Sequence, residues 1–296
     1  VELGRVGIWT RELDALPTAR AQAIAAELEA SGWPTLWLPE AGARDGLTHA
    51  TLQLSATERI NVATGIARIH AHGAWATALT QLQLEDRFPG RFLLGLGVSH
   101  PIVVERLHGA SYAHPLQQMS GFLDTLETVQ QQQSSPRNEK PLPRVLAALG
   151  PKMLELAGAR TSGAHTYMAP VSHTEWARAQ LGAGPLLAPA VKAVLTTDIA
   201  AGRDVARTAL IPTTKVPAYR SLLLRHGLTD DDLAPPLSDQ LVDTLVAIGD
   251  EDVVAKRVQE HLSAGADHVP IEVLPTAPSR PPVAEWQRLA AALVLV

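Results

Sequence analysis

The chain has 296 residues, with 25 Lys and Arg against 30 Asp and Glu (formal net charge −5), 46% hydrophobic residues and no cysteine. A chain of that length buries roughly 75% of its unfolded surface and needs no covalent staple. The missing cysteines exclude disulfides, thiolate nucleophiles, Fe–S clusters and Cys-type zinc sites, and the mild acidity argues against nucleic-acid or anionic-membrane partners.

Eight short apolar runs follow one another at residues 5–9, 35–39, 61–67, 92–98, 144–149, 164–168, 190–196 and 268–274. Their near-continuous apolar character suits parallel strands covered on both faces. Amphipathic stretches lie between them. Residues 18–31 put Ala21, Ile24, Ala25 and Leu28 on one stripe and stop at Gly32. Residues 250–264 open on Asp250 with Glu251 and Asp252 in the first turn, space Val254, Val258 and Leu262 four apart, and end at Gly265. The alternation predicts an α/β fold, a (β/α)8 TIM barrel rather than a doubly wound sheet. It forms a single domain over residues 1–296, with inserts at 99–115 after strand 4 and at 198–249 between strands 7 and 8. Residues 130–143 read as a polar, proline-containing loop rather than a linker. No run reaches the ~20 apolar residues of a spanning helix, and no basic-then-apolar leader is legible at Val1. The expectation is a soluble cytoplasmic protein acting on a small molecule.

A barrel of this kind carries its active site at the C-terminal ends of the strands. Gly95 and Gly97 open like a dinucleotide fingerprint, but His100 occupies the third glycine position and no acidic residue follows at the expected distance, so the Rossmann reading fails. Glycines two apart share one strand face. They accommodate a flat ring or another backbone, or else a core layer that needs small residues. Gly150, Pro151 and Lys152 open a helix whose free N–H groups make an anion site, or an ordinary turn with a solvated lysine. His70 and His72 share a face and give a metal signal that needs a third ligand, with His100, His165 and His268 available. Glu40, at the end of the second run, is a general base or a partner for Arg44. Neither a nucleophile elbow nor a P-loop is present.

The strings at 36–40 (LWLPE), 63–66 (ATGI), 89–97 (PGRFLLGLG) and 149–153 (LGPKM), with Ala157 and Gly163, resemble the bacterial-luciferase-like oxidoreductases. The pieces at 217–219, 227–230, 238–249 and 265–268 are similar to the actinobacterial branch of that family associated with coenzyme F420, a deazaflavin. The resemblance implies a flavin or deazaflavin at the barrel mouth and a non-prolyl cis peptide at Gly65–Ile66 supporting its ring. It further implies that Gly97, Val98 and Ser99 line the ring or tail, that Ala148, Leu149, Gly150 and Pro151 cradle the phosphate, and that Met168 lies beside it. Two departures stand out. The sugar-phosphate dehydrogenases of the superfamily carry an Asp-His pair where this chain has Glu40 and Ala41, and a carboxylate where it has Val98. Glucose 6-phosphate is therefore not the expected substrate. His100 becomes the leading acid/base candidate, followed by Glu40 and His165; no metal ligand is assigned. The expected activity is hydride transfer between F420 and a small organic substrate. The alternatives are an FMN-dependent monooxygenase fed by a flavin reductase, a metal-dependent barrel hydrolase using His70 and His72, and a low-turnover cofactor-binding protein. A homodimer is left open.

Overall fold

All eight apolar runs form parallel strands of one curled sheet. The computed structural model describes residues 1–40, 44–133, 141–277 and 280–293. In chain order these form β1 (Val6–Trp9), α1 (Thr18–Ala30), β2 (Thr35–Leu38), α2 (Gly46–Ser55), β3 (Asn61–Thr64), β4 (Ala67–Arg68), α3 (Ala74–Arg87) and β5 (Phe92–Gly97). The middle of the chain gives α4 (Pro101–Leu107), α5 (Pro115–Gln132), β6 (Arg144–Ala147), α6 (Pro151–Arg160), β7 (Gly163–Thr166), α7 (Val171–Leu181), β8 (Leu186–Pro189) and β9 (Val191–Leu195). The remainder gives α8 (Ile199–Thr214), α9 (Pro217–Arg225), α10 (Asp230–Leu233), α11 (Asp239–Leu245), β10 (Val246–Gly249), α12 (Glu251–Ser263), β11 (Val269–Val273) and α13 (Val283–Leu293).

The hydrogen-bonded order is β10-β9-β11-β1-β2-β3-β5-β6-β7-β8, with β4 on β5. β8 runs into β9 through the single residue Ala190, so β7 at one end of the path and β11 near the other share one continuous strand. That closes the ring. With β3/β4 and β8/β9 each counted as one stave and β10 outside, the staves make a (β/α)8 barrel. The sequence left out two strands. β8 adds a segment before the seventh run, and β10 lies inside the second insert, pairing with β9 on the side away from β11.

Helix ends follow their local chemistry. Asp250 accepts a hydrogen bond from the Val253 N–H at the start of α12, and Gly265 takes a left-handed φ of 98° just past its end. Ile8, Leu36, Leu94 and Leu146 join the helix-facing core. Alternate strand positions, among them Trp9, Trp37, Ala63, Leu93, Val145 and Ala188, form a separate cluster. Side chains from six staves meet in this way inside the barrel. Trp37 fills that interior, its ring 4.7 Å from the His165 ring and its Nε1 donating to His268 Nε2 at 2.9 Å. Among the described residues no helix is long and apolar enough to cross a membrane.

The two glycines of the fourth run have separate tasks. β5 pairs with β3 at Phe92 and Leu93 and with β4 at Leu96 and Gly97. Residues 64, 65 and 66 therefore oppose only 94 and 95, a β-bulge. The bulge brings the Thr64 backbone onto Gly95, where an added Cβ would lie 2.0 Å from the Thr64 oxygen. The Thr64 hydroxyl replaces the lost ladder bonds, donating to Gly95 O at 2.7 Å and accepting from Gly95 N at 2.8 Å. Gly97 instead makes room for the Ile66 side chain, 2.5 Å from the position of a Cβ. Another backbone, not a ring, approaches Gly95. The Gly65–Ile66 peptide bond within the bulge is cis.

Candidate functional site

The C-terminal strand ends surround a cavity of about 450 Å3. Trp9, Gly65 and Ile66 contribute one wall; Val98, Ser99 and His100 follow from the end of β5, and Ala148 and Leu149 from the end of β6. His165 and Tyr167 come from β7 and its end, while Thr213, Val216 and Tyr219 close the mouth from the second insert. Of the residues singled out from sequence, Glu40 also lines this cavity. Gly97 lies behind Ile66, Gly150 and Pro151 start α6 beyond the cavity wall, and Met168 is buried with the Thr213 hydroxyl donating to its sulfur at 3.9 Å. Ala41 lies outside the described residues. Ser99 and Met168 both have left-handed φ, 62° and 57°. Such non-glycine conformations cost roughly 1–3 kcal/mol and concentrate where structure is held for use.

Glu40 is a strut. Its carboxylate accepts from the backbone N–H groups of Arg68 at 2.8 Å and Gly46 at 3.3 Å, pairs with His72 Nε2 at 2.8 Å, and lies 3.5 Å from Arg68 Nε. Burial alone would raise its pKa; the bonds from His72 and the Arg68 and Gly46 amides outweigh it and hold the carboxyl below its ordinary value. His72 is raised in turn, chiefly by the bond to Glu40, against the opposing effect of burial. A carboxylate so engaged is a weak base. These contacts fix the end of the third stave, and Arg44 turns to backbone carbonyls of Asp14 and Leu16 rather than to Glu40.

Among the described residues His70 and His72 do not fall in one cluster of metal-ligand spacing. His72 Nδ1 lies 3.5 Å from Asp45 Oδ2, so both its ring nitrogens face carboxylates. Among the described residues the one group with metal-ligand spacing is Glu40, Asp45 and His72, without His70.

His100 precedes α4, packs edge-on against Tyr219 with centroids 5.2 Å apart, and is lowered in pKa by burial. His165 is fully enclosed. Its Nδ1 donates to Ala188 O at 2.8 Å, burial pushes its pKa down to about 4, and its buried Nε2 has no protein partner. It is a neutral imidazole with a bare acceptor at the cavity floor. At the phosphate-type turn, Gly150 caps α6 without a side-chain ligand; a Cβ there would meet nothing within 4 Å, and its φ of −118° is open to any residue. His173 Nε2 donates to the preceding Leu149 carbonyl at 3.2 Å and pins that loop to α7.

Reading the sequence missed a buried polar set. Lys192 on β9 and Glu272 on β11 are register partners across adjacent strands, each 3% exposed, and form an ion pair. Lys192 Nζ also donates to the Tyr167 hydroxyl at 2.6 Å, and that hydroxyl donates to Glu272 Oε2 at 2.9 Å. Burial, followed by the Glu272 charge, raises the Tyr167 pKa well above its ordinary value. The available signal was a lone charge in each of two otherwise apolar runs.

The luciferase-like monooxygenase family model matches residues 8–268. A Mycobacterium tuberculosis protein named as a coenzyme F420-dependent oxidoreductase is 28% identical over 169 residues, 57% of this chain and 45% of that protein. The alignment thus spans less than half of that relative. The coenzyme F420-dependent tetrahydromethanopterin reductase of Methanopyrus kandleri superposes with a TM-score of 0.79 at 16% identity over 97% of both chains. The oxygenating constituent of 3,6-diketocamphane monooxygenase from Pseudomonas putida, solved with FMN, does so with a TM-score of 0.73 at 13% identity over 98% of both. At these identities the structural likeness establishes the shared fold.

Proposed function

The chain belongs to the luciferase-like monooxygenase family of oxidoreductases, and from that premise we propose that it transfers a hydride between coenzyme F420 and a small organic substrate. The observation carrying this reading is the cavity at the strand ends, bounded by the Gly65–Ile66 bulge on one side and the Leu149 loop on the other. The residues fit a flat, partly polar ring with an anionic tail. The bare His165 Nε2 accepts an N–H or O–H. The open space above Gly150, beside the uncapped N–H groups of α6 and Lys152, suits a phosphate. Bound there, the deazaflavin supplies the hydride chemistry.

The chain does the rest. Ile66 and Val98 exclude water from the ring side of the cavity, the Leu149–Pro151 turn holds the tail, and Tyr219 and Val216 cover the mouth. His100, on the rim, meets the substrate. The Mycobacterium tuberculosis relative favours F420; the FMN-bound neighbour, which superposes over 98% of the chain, favours FMN in a monooxygenase supplied with reduced flavin by a reductase. Titrating the protein separately with F420 and FMN, followed by the fluorescence of its six tryptophans, decides between them. Tighter binding of F420 is expected; tighter binding of FMN overturns the deazaflavin reading.

A further inference from the structure

Strand positions alternate between the two faces of the sheet. Ala67 joins the helix-facing core, while Ile66 before it and Arg68 after it line the cavity. Arg68 is 9% exposed, an arginine buried against the site. A guanidinium carries five N–H donors in a planar fork. Among the described residues none of the five makes a hydrogen bond: Nε is buried without a partner, and the nearest carboxylate oxygen, Glu40 Oε2, stands off at 3.5 Å. The Glu40 oxygens are already taken by the Arg68 and Gly46 amides and by His72. That carboxylate offsets the arginine's charge and leaves its donors unfilled. Buried donors without an acceptor are costly, so the fork suits an acceptor brought in by a bound molecule.

The rest of the wall narrows the class of that molecule. The charged side chains lining the cavity are Arg11, Arg68 and Glu40, two positive against one negative. Trp9, Ile66, Val98, Val103 and Tyr219 give the same cavity an apolar lining. A planar carboxylate matches the guanidinium fork with two parallel bonds. A phosphate dianion at Arg68 would meet the Glu40 charge at close range, and the open start of α6 already offers phosphate a place. We propose that the substrate is an apolar or aromatic molecule bearing a single carboxylate, and that Arg68 binds this carboxylate through its unfilled N–H groups. Calling that molecule the substrate rests on the hydride-transfer reading above. The carboxylate is a handle and not the reacting group, which makes Arg68 a specificity-determining residue.

The test titrates three fluorine-labelled probes into the full chain, with and without F420, and reads binding by fluorine NMR. They are para-fluorophenylacetate, its neutral analogue para-fluorophenylacetamide, and the more highly charged para-fluorobenzylphosphonate. Wild type should bind the carboxylate at least about tenfold more tightly than either of the others. Arg68→Met keeps the stem and leaves Glu40 its amide and His72 partners. It should weaken carboxylate binding about 10–100-fold, with amide binding and F420 affinity within about threefold of wild type. Arg68→Lys keeps the charge without the fork, and should fall between the two; it decides the matter if Arg68→Met does not fold. Equal binding of carboxylate and amide, or no carboxylate binding, shows a hydrated arginine only and overturns the proposal. Tighter binding of the phosphonate overturns the carboxylate assignment. Wild-type carboxylate affinity in Arg68→Met or in Arg68→Lys overturns the role of the fork, and its loss in Gly150→Val instead places the anion at α6. Failure of wild type to bind F420 overturns the deazaflavin reading alone, since the cofactor-free titrations are read independently of it.

Discussion

Replacing Gly95 by alanine tests whether the bulge is built into the fold. The new Cβ would stand 2.0 Å from the Thr64 carbonyl oxygen and 3.1 Å from its carbon, both backbone atoms. Restoring ordinary contact requires more than an ångström of backbone movement, and overpacking of this kind costs about 1–3 kcal/mol. Movement of Thr64 also breaks its two hydroxyl hydrogen bonds to Gly95, at about 1 kcal/mol each. The sum is about 3–5 kcal/mol. At roughly 2–4 °C per kcal/mol the melting temperature should fall by about 6–20 °C in a calorimetric scan. Gly97→Ala supplies the contrast, because its Cβ meets the far end of the Ile66 side chain, at 2.5 and 2.7 Å, and not backbone. Ile66 can swing into the cavity, so stability should drop by only about 1 kcal/mol while cofactor affinity suffers. Gly95→Ala melting within about 2 °C of wild type, or the two variants melting alike, would show that the close approach is not what fixes this strand end.

Gly150→Val adds a side chain into open space at a backbone angle any residue adopts. Its melting temperature should match wild type while F420 binding weakens about tenfold or more, a loss of about 1.4 kcal/mol; unchanged binding moves the phosphate elsewhere. Burial lowers the pKa of His165, His173 and His268 to about 4 and that of His261 to about 3. A depressed histidine favours the neutral form, so its contribution is present above the unfolded value of about 6.5 and is lost as pH falls toward about 4. Each contributes a slope of up to ~1.4 kcal/mol per pH unit across that window. Guanidinium midpoints should therefore drop steeply from pH 7 to 5; a flat profile is the refuting result.

The barrel was legible because burial on both faces writes strands as apolar runs. β8 escaped notice because Gly182, Gly184 and Pro185 precede it and make Leu186–Pro189 look like the tail of a loop. β10 follows α11 without a break, so the apolar pattern of the helix runs straight into the strand. At the site, what could be read came from adjacent residues: the bulge, the turn at Gly150, the strand end at His100. What could not be read joins distant ones. Lys192 and Glu272 are 80 positions apart, and only the parallel register of β9 and β11 sets them side by side. Glu40 offered the opposite difficulty, since the sequence does not show that its carboxylate is engaged by two backbone amides and by His72.

The second insert leaves β9 after Leu195 and comes back as β10, with Gly249 in register against that same Leu195. Its two ends are thus about one strand spacing apart, roughly 4.8 Å. A segment attached in this way behaves as an exchangeable cassette, because removing or replacing it leaves the ring of staves with a gap that a short turn can span. Thr213, Val216 and Tyr219, the mouth residues it carries, can be changed together by grafting a different segment between those two points. Lys192, Glu272 and the bulge would stay where they are. Such chimaeras offer a way to alter which molecules enter while keeping the interior chemistry constant.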